Sequence, residues 1–259
     1  MVDAAVALRE GITIQAPAKV NLYLHVTGRR DDGFHELDSL VVFAGIGDTL
    51  VVEPAPEVAL SLDGPFAAAL AGAGDDNLVL RALRALAERA GTAYGARMTL
   101  TKRLPVASGV GGGSADAAAA LRALARLWRL APGQADLQAI ALSLGADLPV
   151  CLARRNCFVG GIGEALSPAP ALPPAWFLLA NPGVALSTPA VFAERVGPFS
   201  APARFTDAPV DARALAILLE ARGNDLAGAA MRLAPEISDV LDALGSLEGA
   251  LMARLSGSG

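Results

Sequence analysis

The sequence predicts an α+β protein in two domains, strand-rich to about residue 160 and more helical over residues 161–259. Three observations carry this. Residues 11–27 and 37–53 alternate apolar and polar side chains with the two-residue period of a half-buried strand. Residues 77–90 and 114–128 place apolar residues at the three-to-four spacing of a helix. Beyond residue 160 helical spacing dominates, over 211–221, 223–233 and 236–247.

In residues 11–27 (GITIQAPAKVNLYLHVT), Val20, Leu22, Leu24 and Val26 share one parity and form the apolar face. Lys19 and Asn21 share the other, so both point to one side of the sheet. Arg29, Arg30, Asp31, Asp32 and Gly33 make a polar turn. A second strand follows over 37–53, with a break expected at Gly45-Ile46-Gly47-Asp48, and a third over 57–62. Asp75-Asp76-Asn77 caps a helix to about Ala90, with Leu78, Ala82, Leu83 and Leu86 on one face. Residues 96–103 form a strand leading to Leu104-Pro105. Ser114 opens an Ala- and Leu-rich helix to about Trp128, and a further helix over 135–144 ends at Gly145 as its C-cap. Residues 148–152 are short and apolar. Gly160, Gly161 and Gly163 punctuate a turn, the Ala-Pro run over 168–175 is a connector, and WFLLA at 176–180 reads as a buried strand. There is no internal repeat.

Composition narrows the function. Charged residues are 18% and hydrophobic ones 53%, which excludes a disordered chain. A net charge of −5 argues against a nucleic-acid partner, because phosphate contacts need clustered cations. No run is long and apolar enough for a membrane span. The first eleven residues carry Asp3 and Glu10 and lack a basic start before an apolar run, so no secretory signal is expected. Cys151 and Cys157 fit neither a zinc site nor a disulfide framework. A soluble, reduced, cytoplasmic protein, monomer or homodimer, is the expectation. Of 21 basic side chains only Lys19 and Lys102 are Lys. In so Arg-rich a chain that is either drift or retention of a compact point charge where a guanidinium would not serve.

The strongest local signal is SGVGGGSADAA. Consecutive glycines let backbone N–H groups turn inward, and a helix starts directly afterwards with its unpaired amides and positive dipole end. Together these make a phosphate site. No Lys-Ser/Thr follows the glycines, so this is not a Walker A loop. The competing reading is a flexible turn.

Four segments in order, PAKVNLYL (17–24), GFHEL (33–37), LPVASGVGGGSADAA (104–118) and GADLPV (145–150), resemble the GHMP kinases. Within that superfamily they are similar to the branch whose acceptor is a hydroxyl, at the 2-position, of a CDP-linked methylerythritol in non-mevalonate isoprenoid biosynthesis. The resemblance implies ATP and Mg²⁺, a small-molecule substrate, and an active-site cleft. The cleft would lie between an ATP-binding N-terminal domain (1–160) and a smaller α+β C-terminal domain (161–259). It also implies a third glycine-rich segment followed by a further strand and helix. Here that segment is RLSGSG (254–259), so the C-terminal domain is expected to stop short, with an exposed strand edge.

By the same resemblance Asp147 is the catalytic base, although on its residues alone it is a turn residue before Leu148-Pro149. Lys19 is the active-site cation that stabilises charge; buried among apolar neighbours it needs an anionic partner. Asn21 would bond substrate or orient Asp147. The ATP loop is Pro105, Val106, Ala107, Ser108, Gly109, Val110, Gly111, Gly112, Gly113, Ser114 and Ala115. The Ser114 hydroxyl serves phosphate, Mg²⁺ or the helix cap; metal ligands are otherwise unassigned. Asn77 lies near adenine or caps its helix. Phe34 and His35 form the cytosine site, with Phe34 stacking where the family more often has Tyr. Phe192 covers the other face of the base or packs in the core. His25 is structural or near substrate, and Lys102 is peripheral. Two alternatives stand beside this reading: another GHMP kinase of homoserine or mevalonate type, and a nucleotide-binding protein without turnover.

Overall fold

The computed structural model describes residues 11–91, 95–131 and 133–259. The reading of the N-terminus against a secretory signal falls on residues 1–10, outside these. Two long strands organise the molecule. β1 (Ile12–Arg29) and β2 (His35–Pro54) form an antiparallel hairpin. Their turn closes with the Arg30 N–H donating to the Phe34 carbonyl (2.8 Å) and Gly33 at φ 89°, a conformation glycine adopts without cost. The first half of β2 pairs with β5 (Cys157–Gly161), and its second half with β4 (Ala96–Thr101). β3 (Val58–Asp63) runs parallel to β4, and β6 (Ala165–Pro168) antiparallel to β5. The β5–β6 hairpin thus carries this sheet to Pro168, beyond residue 160.

The break expected at residues 45–48 is not a break in β2. The strand runs through, but its register slips there: Pro17 faces Gly47 and Lys19 faces Phe43, so Ala44, Gly45 and Ile46 bulge opposite Ala18. Pro17 has no N–H for the ladder. Opposite it a Cβ on Gly47 would run into the Ala16 carbonyl, so the glycine there serves close approach rather than a turn.

Four helices cover one face: α1 (Leu78–Ala90), α2 (Gly112–Leu127), α3 (Gln134–Leu144) and α4 (Leu148–Ala153). Their core includes Leu50, Val52, Met98, Leu100, Leu83, Leu86, Leu121, Leu124 and Leu148. α2 is buried almost all round, and its alanines let it sit close to both sheet and neighbouring helices. It begins at Gly112, two residues before the expected Ser114, with Gly111 left-handed (φ 64°) at its N-cap. The other side of β1 packs Val20, Leu22 and Tyr23 on Leu215 and Leu219 of α6 (Ala212–Glu220). Further along, Leu24 and Val26 meet Val191 of α5 (Thr188–Glu194), Leu226, Ala230 of α7 (Ala227–Leu233) and Ile237 near the start of α8 (Glu236–Gly245).

One further expectation is corrected. Residues 176–180 form no strand: Trp176 is wholly exposed and Leu178 largely so, and only Leu179 packs on the second cluster. Apolarity qualifies a segment for a sheet, but a ladder needs a partner edge that the segment itself does not specify. Residues 254–259 are tied down by hydrogen bonds, with a turn at residues 257–258. Arg254 donates to the carbonyls of Leu22 (2.7 Å) and Leu219 (2.9 Å), and Asn224 Nδ2 to those of Leu255 (2.9 Å) and Gly257 (2.8 Å). Helix α5 has no counterpart in the sequence reading. Among the described residues no helix is long and apolar enough to cross a membrane.

Candidate active site

β1 carries Lys19 and Asn21 to the floor of a cavity of about 1010 Å³. Their shared parity holds: Lys19 Nζ donates to Asn21 Oδ1 at 3.1 Å. The same ammonium lies 3.0 Å from Asp147 Oδ2. Lys19 is almost fully buried whereas Asp147 is 51% exposed, so the pair presents its carboxylate to the opening. Asp147 also precedes α4, whose first turn contains Pro149, but its side chain caps no amide there. The turn reading holds, and the carboxylate is left free of the helix cap.

The glycine loop forms one wall. The Lys19 N–H donates to the Val110 carbonyl (2.9 Å), so β1 holds the loop directly. Gly109 and Gly111 are left-handed, at φ 66° and 64°. A Cβ on Gly111 would lie 3.1 Å from Lys19 Cε, one on Gly112 3.3 Å from Lys102 Nζ, and one on Gly109 would strike the Ser256 carbonyl. The glycines are demanded by the protein's own packing as well as by any ligand. Gly112, Gly113 and Ser114 occupy the first turn of α2, where amides have no intrahelical acceptor.

Ala107, Ser108, Gly109, Gly111, Gly112, Gly113 and Ser114 line the cavity. Pro105, Val106, Val110 and Ala115 do not: Val110 packs with Ala18 and Leu104, and the Ala115 amide is spent on the Gly111 carbonyl (2.8 Å). Asn77 caps α1 by accepting from the Val79 amide (2.9 Å) and borders a separate cleft of about 570 Å³ between β3 and α1.

At the far end of the cavity His35 stacks on Phe192, with ring centroids 5.1 Å apart and planes at 23°. Burial, with Arg29 and Arg195 nearby, holds the His35 pKa below its ordinary value, so the ring is neutral near pH 7. Phe34 is 56% exposed at the rim. His25 is structural. Its Nε2 accepts from the Gly223 amide (3.3 Å), which leaves Nδ1–H to donate to the Ala201 carbonyl (3.0 Å).

Lys102 is not peripheral. Its ammonium is buried and bonds Asp48 Oδ2 (2.5 Å) and Asp116 Oδ2 (2.8 Å). Asp48 Oδ1 accepts from the amides of Arg103 (2.5 Å) and Leu104 (2.9 Å) at the entry to the loop. Burial works against the Lys102 charge, but the two carboxylates prevail and raise its pKa. Burial pushes the Asp116 carboxyl up to about 7, against the pull of Lys102. The local string around residue 102 could not show this, because one partner is 54 residues away.

Sequence reasoning also missed Ser39, Thr188 and Ser258. Ser39 is buried on β2 beside Asn21, and the Thr188 and Ser258 hydroxyls meet at 2.8 Å. A lone hydroxyl inside the apolar run LDSLVVF was the available signal for Ser39.

Comparison with known proteins places this geometry. Residues 77–155 match the GHMP kinases N terminal domain. A 4-diphosphocytidyl-2-C-methyl-D-erythritol kinase of Rhodospirillum rubrum is 57% identical over 244 residues, covering 94% of this chain and 80% of the relative. The chain belongs to the 4-diphosphocytidyl-2-C-methyl-D-erythritol kinase family. A second member, from Paramagnetospirillum magneticum, is 55% identical over 95% of this chain and 86% of its own. A crystal structure of 4-(cytidine 5'-diphospho)-2C-methyl-D-erythritol kinase superposes with a TM-score of 0.70 at 39% identity, over 96% of this chain and 87% of that one. The α+β GHMP kinase fold follows. For a 4-diphosphocytidyl-2-C-methyl-D-erythritol kinase family member, the matched domain holds both the glycine loop and Asp147, and so contributes one wall and the carboxylate of the cavity.

Proposed function

We propose that this chain transfers the γ-phosphoryl group of ATP to the 2-position hydroxyl of 4-diphosphocytidyl-2-C-methyl-D-erythritol, a step in non-mevalonate isoprenoid-precursor synthesis. One observation carries the reading: the Lys19–Asp147 pair lies in the same cavity as the glycine loop and the His35–Phe192 stack. The loop amides at the start of α2 bind phosphate oxygens. Asp147 accepts the proton of the acceptor hydroxyl as its oxygen attacks the γ-phosphorus, and ADP leaves. Asp147 and Asn21 engage two of the three Lys19 donors, and the third serves a phosphate oxygen. Phe34, His35 and Phe192 hold the cytosine, and the Asn77 side of the loop takes the adenine.

Mg²⁺ fits the donors present. The described residues contain no cluster of three acidic, His or Cys side chains. The Ser114 hydroxyl and the Asp147 carboxylate beside a phosphate loop are the sparse oxygen set that suits a cation carried mainly by ATP. When bound, Mg²⁺ neutralises phosphate charge. Residues to about 160 serve as the ATP-binding unit, and the remainder brings Phe192 over the base. The buried free thiols Cys151 and Cys157 suit work in the cytoplasm.

ADP release is the test, with the CDP-linked polyol against free methylerythritol, homoserine and mevalonate. Turnover confined to the CDP-linked substrate is expected. Equal turnover of homoserine or mevalonate would remove the substrate assignment, and ATP binding without any turnover would remove the kinase reading.

A further inference from the structure

We infer that Ser39 is a positioning residue for the phosphoryl-transfer site: it fixes which end of the Asn21 amide faces Lys19, and through it the ammonium that meets Asp147. The inference rests on the role given to Lys19 and Asp147 above. Four groups form one chain of hydrogen bonds. Ser39 Oγ donates to the Tyr23 carbonyl at 2.5 Å, and Asn21 Nδ2 donates to Ser39 Oγ at 2.7 Å. Lys19 Nζ donates to Asn21 Oδ1 at 3.1 Å and faces Asp147 Oδ2 at 3.0 Å.

The polarity of this chain is decided at both ends. A backbone carbonyl only accepts, so the Ser39 hydroxyl spends its proton on Tyr23. Ser39 Oγ is then an acceptor towards Asn21, and the amide must offer its NH₂ group there. An ammonium only donates, so the other end of the amide, facing Lys19, must be oxygen. The two requirements agree, and together they orient the side chain on chemical grounds. Ser39 is 1% exposed, Lys19 4% and Asn21 7%, so water is poorly placed to replace a missing member. Without the hydroxyl the amide NH₂ loses its acceptor, and only the ammonium is left to distinguish the two ends. The flipped form sets an N–H against the ammonium and moves it relative to Asp147.

The experiment measures kcat and both KM values for Ser39→Ala, Ser39→Thr, Asn21→Ala and the Asn21→Ala/Ser39→Ala pair, with Asp147→Asn and Lys19→Met in the same series. Ser39→Ala is expected to lower kcat on the order of 10- to 100-fold while the KM for ATP stays within about twofold, and Ser39→Thr, which keeps the hydroxyl, to recover most of the loss. On the Asn21→Ala background Ser39→Ala should add less than about twofold, because the relay is already cut. A Ser39→Ala kcat equal to wild type overturns the inference. So does an undiminished effect on the Asn21→Ala background, or a loss confined to the KM of the acceptor. If Ser39→Ala does not fold, Ser39→Cys, a weak donor, is read in the same cycle. Full turnover in Asp147→Asn and Lys19→Met would overturn the underlying site reading. Loss in those two with Ser39→Ala intact would overturn the positioning role alone.

Discussion

Lys102 Nζ lies 2.8 Å from Asp116 Oδ2, and this contact ties the strand that enters the glycine loop to the helix that leaves it. Through Asp48, which holds the amides of Arg103 and Leu104, the same ammonium also braces the loop's first residues. Lys102→Met should destabilise the fold by about 3–5 kcal/mol, since two buried carboxylates lose their cation. Lys102→Arg should also be costly, because the Gly112 backbone leaves no room around the ammonium for a planar guanidinium. Urea unfolding midpoints measure both. Wild-type midpoints would show the cluster to be idle.

Asp116 makes stability pH-dependent in an unusual direction. Burial raises its carboxyl from 3.8 to about 7, so between those values the folded state binds more protons than the unfolded one. Its contribution is full below pH 3.8 and is lost as pH rises towards about 7. Asp116→Asn cannot titrate. The stability difference between wild type and Asp116→Asn should therefore shift against wild type between pH 5 and pH 8, in urea titrations at several pH values. A difference that does not change with pH would place the Asp116 proton elsewhere.

Asp147→Asn should keep ATP affinity and lose about 10²–10⁴ in turnover, the usual cost of a missing general base. Lys19→Arg should be nearly as damaging as Lys19→Ala. Lys19 Cε already fills the space where a Gly111 Cβ would go, and a guanidinium cannot occupy a point-charge site there. Steady-state kinetics on both substrates check these. Turnover within about threefold of wild type in Asp147→Asn would favour direct transfer without a base.

Phe34 and Phe192 should separate cleanly. Phe34 is exposed at the rim, so Phe34→Ala should leave the melting temperature unchanged. It should raise the KM of the cytidylyl substrate by the equivalent of about 1–3 kcal/mol, the worth of one base stack. Phe192 packs on His35 and on the cluster around Val191 and Leu226, so Phe192→Ala should lower both stability and substrate affinity. A Phe34→Ala effect confined to ATP would reverse the two ends of the cavity.

Much of the site was legible in the string because its parts are local. Two residues of the same strand parity put Lys19 and Asn21 on one face, and a glycine run before an alanine-rich helix announced the loop. Family resemblance then supplied Asp147, whose partner the fold brings in from 128 positions away in sequence, through a salt bridge. The period of the side chains likewise located the long β1–β2 hairpin and α1, α2, α6 and α8 to within a few residues.

Tertiary structure alone decided what depends on distant partners. Lys102 looked peripheral because Asp48 and Asp116 reach it only after β2, β4 and α2 have assembled. Residues 176–180 looked like a strand because apolarity is a property of the segment, whereas a ladder is a property of two segments. Ser39 looked like one more residue of an apolar strand until β1 laid Asn21 and the Tyr23 carbonyl against it. Propensity and period act over neighbours in the chain, and so most of the elements and the loop could be read from the string. Hydrogen bonds and charge pairs between buried groups act over neighbours in space, and those only the packed fold assigns.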